Sequence, residues 1–364
     1  MRKTLVFAVA AAFMILPLVV FAQNSHPKNR NPLLVVKNGK YGYIDHKGKI
    51  VIKPRYEWGN RFEDGFADVY VCSRSVWIDE KGKVVPKRPW PENELWSKEQ
   101  DGKFGFADAS GKLTISPIYD EVLPFRDGLA AVRVHDLWGF IDARGREVIS
   151  PKFKEAYYFE EGVTIVKTDA DYLLIDKTGL VLASGYEPSL SAGTADGRVP
   201  ACRNDKCGYL NLQGNVAVPL EYDLVGQLSG GLAPVKKHEK WGYIDRDGRV
   251  RIPFLFDSAD PFSSGLAAVQ IGRDSGFIDE SGKFAFHLAF DGASGFFWDS
   301  DVSWFWTSDD RFGYVKTSGK VIWGPAKGSP DHWPLLGWTE EEKAESCKGI
   351  PRAMRKAVAR LPRE

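Results

Sequence analysis

A short motif recurs along most of this chain at a nearly fixed interval. An aromatic residue, a glycine, a second aromatic residue, an aliphatic residue and an aspartate follow one another in Trp138–Asp142 and again in Trp241–Asp245. The equivalent glycines Gly105 and Gly139 are 34 residues apart. A fixed period of this length indicates a repeat architecture, in which neighbouring units stack to bury a shared core. Weaker copies included, the chain holds about nine units.

Each motif leads into a turn sequence that predicts a β-hairpin. Asp142 is followed three residues later by Gly145. In such a turn the aspartate side chain accepts hydrogen bonds from backbone N–H groups, and the glycine adopts the left-handed conformation that closes the turn. Apolar and polar residues alternate on both sides, as expected for strands. We therefore predict a structural turn role for the equivalent glycines Gly48, Gly111, Gly145, Gly248 and Gly282.

A proline and an aromatic residue follow the hairpin, as in Pro151 and Phe153. Because proline has no N–H group for a ladder hydrogen bond, we predict that it ends the second strand. A Phe-x-x-Gly sequence then opens a third short strand, as in Phe125–Gly128 before Leu129–Val134. Each unit is thus predicted to be a three-stranded meander, too small to bury a core by itself.

The combination of these motifs resembles the bacterial WG repeat (WG-containing β-repeat) family. The resemblance covers about residues 37–325, with departures near 74–100 and 171–204. It implies an all-β tandem array in an exported or cell-associated protein, from a family with no agreed catalytic residues. An open solenoid or superhelix and a closed propeller-like ring both fit this array. Because three strands fall short of the usual four-stranded propeller blade, the open array is favoured.

The first 22 residues have the pattern of a signal peptide. A positive start at Arg2–Lys3 precedes the apolar run Leu5–Phe21, and Ala22 is a small residue suited to cleavage. We expect a mature chain that begins at Gln23 and is periplasmic or secreted. An uncleaved membrane anchor is the alternative, which the small-residue end disfavours. No later segment is apolar for long enough to cross a bilayer.

After the repeats the pattern becomes helical. Apolar side chains recur at helical spacing at Ile350, Met354, Val358 and Leu361, and Thr339–Glu342 forms a capping box. We interpret this helix as a cap on the last repeat, with a membrane-surface helix as the alternative. The predicted organisation is a signal peptide at 1–22, an N-terminal lead-in at 23–36, the repeat domain at 37–325, and a C-terminal linker and capping helix at 326–364.

Charge and motifs exclude several function classes. Loss of Arg2 and Lys3 with the signal peptide lowers the net charge from +1 to −1, so no basic excess for nucleic-acid binding is expected. The common nucleophile, zinc-protease, dinucleotide and phosphate-loop signatures are absent, and the six histidines are scattered. Adjacent acids such as Glu160 and Glu161 are more often solvated loop residues than a glycosidase pair. We predict a non-enzyme without metal or cofactor.

The four cysteines suggest one local disulfide. Cys202 and Cys207 flank a turn-like stretch between two strands, and an oxidising compartment permits them to pair. A zinc site is the alternative, but no third ligand lies nearby at suitable spacing. Cys72 and Cys347 remain, and they can pair only if the C-terminal segment folds back towards the first repeats.

An aromatic segment breaks the repeat at residues 296–306. Alternation along a strand places Trp304 and Trp306 on one face and Phe305 on the other. The segment is either an apolar cluster packed beneath the C-terminal helix or an exposed platform whose aromatic rings and acids suit a sugar ring or an extended peptide. The candidate binding residues are Trp298, Asp299, Asp301, Trp304 and Trp306.

Together these patterns predict a non-enzymatic exported binding scaffold that mediates protein–protein interaction in the bacterial envelope, because repeat arrays offer long surfaces and need no pocket. The alternative is a glycan or cell-wall binding module that uses the aromatic cluster. An enzyme ranks third, since it would need carboxylates brought together from different repeats. The partner is thus an unknown protein or an envelope glycan.

Overall fold

The computed structural model describes residues 31–72, 74–85, 94–189, 193–288, 291–293, 295, 300–307, 309, 311–327 and 350–359. The signal-peptide segment 1–22 lies outside these residues. In the described part, the strands form nine small antiparallel sheets, one for each repeat, which are the blades of a closed nine-bladed β-propeller.

The blades follow one another in chain order. Blade 1 contains β1 (Leu33–Lys37), β2 (Lys40–Ile44) and β3 (Ile50–Tyr56). Blade 2 contains β4 (Phe66–Val71), β5 (Arg74–Asp79) and β6 (Val84–Val85). Blade 3 contains β7 (Trp96–Gln100), β8 (Lys103–Ala107) and β9 (Leu113–Tyr119). Blade 4 contains β10 (Glu121–Val122), β11 (Leu129–Val134), β12 (Leu137–Asp142) and β13 (Glu147–Phe153). Blade 5 contains β14 (Glu155–Ala156), β15 (Val163–Lys167), β16 (Tyr172–Asp176) and β17 (Val181–Ser184). Blade 6 contains β18 (Glu187–Pro188), β19 (Val199–Arg203), β20 (Lys206–Leu210) and β21 (Val216–Tyr222). Blade 7 contains β22 (Leu224–Val225), β23 (Leu232–Lys237), β24 (Lys240–Asp245) and β25 (Val250–Phe256). Blade 8 contains β26 (Ser258–Ala259), β27 (Leu266–Ile271), β28 (Asp274–Asp279) and β29 (Phe284–Leu288). Blade 9 contains β30 (Gly292–Ala293), β31 (Val302–Thr307), β32 (Arg311–Lys316) and β33 (Val321–Lys327).

A two-residue strand completes each blade from the fourth onwards. In blade 4, β10 pairs with β11 through Glu121 opposite Arg133 and Val122 opposite Val132. The predicted all-β array of about nine units with a C-terminal helix is confirmed, but the predicted count of three strands omits this short fourth one. Of the two arrangements left open by the sequence, the closed ring is the one observed, and the open array is not.

Blade 9 packs against blade 1 and closes the ring. Val302 and Phe312 of blade 9 share one buried cluster with Leu34 and Ile52 of blade 1. Strand β1 begins at Leu33, inside the segment 23–36 that the sequence suggested as a lead-in. The first and last repeats therefore bury each other, and neither presents an open end of the array.

The motif glycine allows the last strand of a blade to pass very close. The pairing of β12 with β13 shifts register between Trp138 and Phe140, so that Pro151 lies in a bulge. A Cβ atom built on Gly139 would lie 2.6 Å from the nitrogen of Pro151 and 2.6 Å from the oxygen of Ile149. The expectation that proline ends the strand is wrong, because β13 continues to Phe153. Since β13 is an edge strand, its proline removes no ladder donor.

Strand direction divides the ring into two faces. In blade 4, Leu129 pairs with Asp142 at one end of the β11–β12 hairpin, and Val134 pairs with Leu137 at the other. We call the first end the loop face, because it carries the Phe-x-x-Gly loops and the Asp-x-x-Gly turns. We call the second end the hairpin face, because it carries the two-residue turns such as His135–Asp136.

A repeated carboxylate links neighbouring blades on the hairpin face. Asp120 lies between blades 3 and 4, where it pairs with Lys103 Nζ at 2.5 Å and accepts the backbone N–H of His135 at 3.0 Å. The lysine hydrogen bond, followed by that backbone N–H, lowers the pKa of Asp120. Asp223 makes the same two contacts with Lys206 and His238 between blades 6 and 7.

Helix α1 (Arg352–Ala359) packs on the ring near blade 2. Met354 and Val358 are buried in the cluster that includes Leu34, and Arg74 Nη1 donates to the backbone oxygen of Val358 at 2.7 Å. The sequence predicts a cap on the last repeat; the helix instead contacts blade 2 and the buried cluster that blades 1, 2 and 9 share. Thr339–Glu342 and Leu361 lie outside the described residues. No helix in the described ranges has the length and apolar character needed to span a membrane.

Candidate functional site

The loop face carries a row of cavities between neighbouring blades. Four cavities lined by described residues open on this face, and residues of adjacent blades line each of them. The most spacious of the four, about 940 Å³, is bounded by Trp96 of blade 3, Arg126 of blade 4 and Glu161 of blade 5. The loop face therefore combines grooves with charged and aromatic side chains, which is the anatomy of a binding surface.

An aromatic pair fills the space between most neighbouring blades for which both residues are described. The aromatic residue after the motif glycine meets the phenylalanine of the next Phe-x-x-Gly loop, with ring centres 4.7 to 4.9 Å apart. Such edge-on and tilted ring contacts stabilise the junction beyond the area they bury. The pairs are Tyr43–Phe62, Phe106–Phe125, Phe140–Phe159 and Tyr243–Phe262.

The junction between blades 5 and 6 lacks this pair. Leu174 of blade 5 is equivalent to Phe140 of blade 4. Each directly precedes the motif isoleucine, which pairs with Ala130 in blade 4 and with Thr164 in blade 5. Thr194 stands where the Phe-x-x-Gly loop of blade 8 has Phe262, since the bridge Ala195–Arg198 matches the bridge Ser263–Leu266. Two large rings are thus replaced by a leucine and a threonine, and a cavity of about 420 Å³ opens beside Thr194.

The walls of this junction cavity are partly apolar and partly polar. Ile165 and Val199 provide a buried aliphatic side, and Tyr157 and Tyr158 bring two phenol rings. Hydroxyl and amide groups come from the remaining side chains, and Glu160 is the one ionisable carboxylate among the described lining residues. The polar lining residues are Glu160, Thr164, Ser189, Thr194 and Gln227.

Two of these polar residues are unusual because they are buried. Thr164 is 4% exposed and Ser189 is 7% exposed. The Ser189 hydroxyl donates to the oxygen of Val225 at 3.3 Å, whereas the Thr164 hydroxyl reaches the oxygen of Ile165 at a long 3.4 Å. Blades 4 and 8 have Ala130 and Ala267 at the register position of Thr164. Blade 5 therefore buries a hydroxyl where blades 4 and 8 bury a methyl group, and blade 9 does the same with Ser303.

Glu160 and Glu161 hold the next loop in place rather than lying free in solvent. Glu160 Oε2 accepts the backbone N–H of Thr194 at 2.9 Å, and Glu161 Oε2 accepts that of Gly197 at 2.8 Å. Asp127 accepts the N–H of Gly162 in the same way one junction earlier, at 2.6 Å. These carboxylates fix the spacing of successive loops, and so they shape the cavities.

Asp260 is a half-buried carboxyl group at another loop-face cavity, of about 450 Å³. Burial raises its pKa, and a hydrogen bond from the backbone N–H of Gly295 opposes that shift. Its backbone oxygen accepts the hydroxyl of Tyr243 at 2.8 Å. Asp260 thus belongs to the blade 7–8 junction rather than to a cluster of acids.

The repeat itself identifies the family. The family model described as "WG containing repeat" matches residues 41–71, 104–138, 138–170, 208–241 and 241–273. The chain is a WG-repeat protein. None of the curated protein sequences compared with it is similar.

Solved structures similar to this WG-repeat ring are distant in sequence. A eukaryotic initiation factor is 11% identical with a TM-score of 0.53, over 82% of this chain and 96% of that chain. BamB from Moraxella catarrhalis is 10% identical with a TM-score of 0.34, over 81% and 91%. AztD from Citrobacter koseri is 14% identical with a TM-score of 0.35, over 80% and 93%. The likeness to the initiation factor shows the fold alone.

The aromatic segment predicted from sequence is mostly built into the WG-repeat ring. Phe305 is fully buried between blades 8 and 9, and Trp304 packs on the cluster beneath helix α1. Trp306 is 39% exposed, with its ring centre 5.0 Å from that of Trp304. Trp298 and Asp299 lie outside the described residues. The described part therefore offers one exposed tryptophan rather than a broad platform.

Asp301, the remaining candidate of this segment, serves the ring closure. Its carboxylate pairs with Lys316 Nζ at 2.8 Å, and His46 Nδ1 of blade 1 lies 3.6 Å away. The hydrogen bond from Lys316 lowers the pKa of Asp301 although partial burial opposes the shift, and the hydrogen bond from His46 adds to the lowering. The group is thus an anion that pairs with Lys316 within blade 9 and contacts His46 of blade 1 across the closing junction.

The predicted turn residues occupy the turns. Gly48, Gly111, Gly145, Gly248 and Gly282 have φ between +74° and +86°. In the fourth repeat Asp142 Oδ1 accepts the backbone N–H groups of Arg144 and Arg146 at 2.9 and 3.0 Å. These are the side-chain hydrogen bonds of the predicted turn.

Cys202 and Cys207 form a disulfide, as the sequence suggests. They are directly opposite each other on β19 and β20, with Cα atoms 4.0 Å apart. Cys72 is also disulfide-bonded; Cys347, the fourth cysteine of the sequence, lies outside the described residues. The described residues contain no group of three or more His, Cys, Asp or Glu side chains that could hold a metal ion.

Proposed function

We propose that this WG-repeat propeller is a non-enzymatic scaffold that mediates protein–protein interaction in the bacterial envelope through its loop face. The observation that carries the proposal is the row of cavities along that face, each built from neighbouring blades. A surface that extends over several repeats suits a macromolecular partner better than a single small substrate.

The chemistry of the loop face supports a protein partner. Tyr158 is exposed, and the guanidinium of Arg126 lies 5.2 Å from its ring centre. Arginine and tyrosine are enriched where proteins bind each other, since each combines a large flat contact surface with hydrogen-bonding groups. On the hairpin face, by contrast, Asp120 and Asp223 are engaged in the blade-to-blade contacts.

An envelope location is part of the proposal. It is supported by the signal-peptide pattern of residues 1–22 and by the Cys202–Cys207 disulfide, a bond that persists in oxidising compartments.

Site-specific photo-crosslinking in the producing bacterium tests the proposal. A photoreactive residue at Ala143 or Arg246 reports on the loop face, and one at Asp136 or Glu239 is the matched control on the hairpin face, all four being exposed. We expect discrete protein adducts from the loop-face positions, and we expect the purified partner to bind the purified propeller. Adducts from the hairpin face alone, or from neither face, would contradict the proposal.

A glycan or cell-wall binding module is the second candidate, and exposed Trp306 is the observation that favours it. An exposed aromatic ring can stack on the apolar face of a sugar. Sedimentation of the protein with purified peptidoglycan, compared between the wild type and Trp306→Ala, tests this candidate. Equal sedimentation of the two proteins would count against a role for the aromatic segment.

A further inference from the structure

We infer that the junction cavity between blades 5 and 6 is a binding site for a neutral saccharide ring, separate from the aromatic segment and independent of any protein partner. The site is the cavity of about 420 Å³ beside Thr194, with Thr164 and Ser189 in its wall. A cavity of this volume falls in the range of small-molecule sites and accommodates one or two sugar rings.

The first argument is that the wall of this cavity departs locally from the repeat. At the blade 4–5 junction, Phe140 and Phe159 meet with ring centres 4.8 Å apart. At the blade 5–6 junction, Leu174 and Thr194 are the corresponding residues. Loss of a ring pair from a packed junction forfeits stabilising contacts. This junction nevertheless lacks both rings, and a partly open cavity with polar side chains in its wall lies beside Thr194.

The second argument is the buried hydroxyl of Thr164. A buried hydroxyl with only a weak hydrogen bond is poorly stabilised, and the Thr164 hydroxyl donates to the oxygen of Ile165 at a long 3.4 Å. The equivalent residues Ala130 and Ala267 carry no such group. A ligand hydroxyl in the cavity would supply a second and shorter hydrogen bond. The threonine is therefore placed to form a hydrogen bond with a ligand in the cavity.

The third argument concerns which ligand the lining suits. Side chains of Thr164, Ser189, Thr194, Tyr157 and Gln227 can each donate and accept hydrogen bonds, as the hydroxyl groups of a sugar also do. The phenol rings and the aliphatic wall suit the C–H face of a pyranose. Glu160 disfavours an anionic ligand, because the described lining contains no cation to balance its charge. A simple ammonium ligand would leave most of the hydroxyl groups unused.

Titration calorimetry on the purified full-length mature chain tests the inference. The probes are glucose, galactose, N-acetylglucosamine and its disaccharide at millimolar concentration, with choline as a cationic probe. We expect one of the sugars to bind with a millimolar Kd, as is reasonable for a small polar ligand. Absence of sugar binding, or binding of choline alone, would overturn the inference.

Three variants locate the binding. Thr194→Phe restores the ring found in other repeats and fills the cavity, so we expect at least about tenfold weaker binding and an unchanged or higher thermal midpoint. Thr164→Val keeps the shape and removes the hydroxyl, and it should also weaken binding. Trp306→Ala should leave it unchanged. Sugar binding that persists in Thr194→Phe but disappears in Trp306→Ala would assign the ligand to the aromatic segment and refute the junction site.

Discussion

Tyr314 donates its hydroxyl hydrogen to the backbone oxygen of Leu34 at 2.7 Å, across 280 residues of sequence. Tyrosines at the same motif position in three earlier blades donate instead to a backbone oxygen 17 residues ahead, in the connection to the next blade. The closing junction thus repeats the interblade hydrogen bond of the other junctions.

The acceptor at the closing junction differs in one respect. Leu34 pairs with Tyr43 as Ala268 pairs with Phe277, so the two residues are equivalent in register. In blade 8 the oxygen of Ala268 accepts the N–H of Asp260, and Tyr243 binds Asp260 in turn. In blade 1 the tyrosine hydroxyl binds the strand directly. At the closing junction the Tyr314 side chain therefore occupies the acceptor that the backbone of Asp260 occupies in blade 8.

We expect Tyr314→Phe to destabilise the ring by about 1 to 3 kcal/mol, because the substitution leaves the buried oxygen of Leu34 without this donor. Tyr243→Phe is the matched control at an internal junction, with a similar expected loss. Urea unfolding followed by tryptophan fluorescence measures both. An unchanged urea midpoint for Tyr314→Phe would show that the closing hydrogen bond contributes nothing.

Gly139 and Gly145 should respond differently to substitution. Gly145→Val should cost on the order of 1 kcal/mol or more, because φ of +74° strains a branched residue. Gly139→Ala should cost about 2 to 3 kcal/mol even though alanine is small, because its Cβ would overlap the backbone of the edge strand. Exposed Arg144→Ala is the control. Thermal midpoints that rank the three variants in another order would contradict this account.

The turns were predictable because their chemistry is local. Asp142 and Gly145 lie within one turn, and the hydrogen bonds of the aspartate involve N–H groups two and four residues away. Ring closure was not predictable in the same way. The strand Glu121–Val122 is too short to show any alternation in sequence. The sequence therefore predicts three strands for each unit, one fewer than a usual propeller blade has.

The junction cavity was visible in the sequence only as an irregularity. Residues 171–204 depart from the repeat, but the departure gains meaning when Thr194 is aligned in space with Phe262. Glu160 was assigned to solvent because adjacent acids in loops usually are solvated, whereas its acceptor role depends on the backbone of the following blade. Contacts between blades are long-range, and one repeat alone cannot specify them.

Asp301 should make the closing junction sensitive to acid. Its folded-state pKa lies below the ordinary value, so the stability it contributes is present above the unfolded pKa and is lost as pH falls through the folded pKa. The carboxylate side chain is 44% exposed, and solvent screening limits the contribution to about 0.5 to 1 kcal/mol. Asp301→Asn should lower the thermal midpoint at pH 7 and have little effect near pH 2. An equal effect at both pH values would argue against the ion pair.

Two disulfides should be found in protein prepared from an oxidising compartment. Non-reducing peptide mapping should recover Cys202 with Cys207, and we predict that it recovers Cys72 with Cys347, because helix α1 lies against blade 2. Replacing Cys202 and Cys207 together by serine should cost about 2 kcal/mol, since the closed loop is short. Recovery of Cys202 as a free thiol would contradict the first assignment.

Export should remove the first 22 residues. The positive start, apolar run and small residue at Ala22 predict a mature chain that begins at Gln23. Intact-mass measurement on protein from the periplasm or the medium checks this. A mass that still includes residues 1–22 would favour the uncleaved membrane anchor.

The bulge at Pro151 also bears on how these molecules behave at high concentration. A strand at the rim of a sheet presents N–H and C=O groups that another molecule can use to extend the sheet. In β13 the proline removes one donor from that rim, and the bulge twists the backbone out of the flat geometry that sheet extension needs. Pro54, Pro219 and Pro253 lie within the equivalent strands of blades 1, 6 and 7. In these four blades the proline and the bulge therefore disfavour sheet extension between neighbouring molecules.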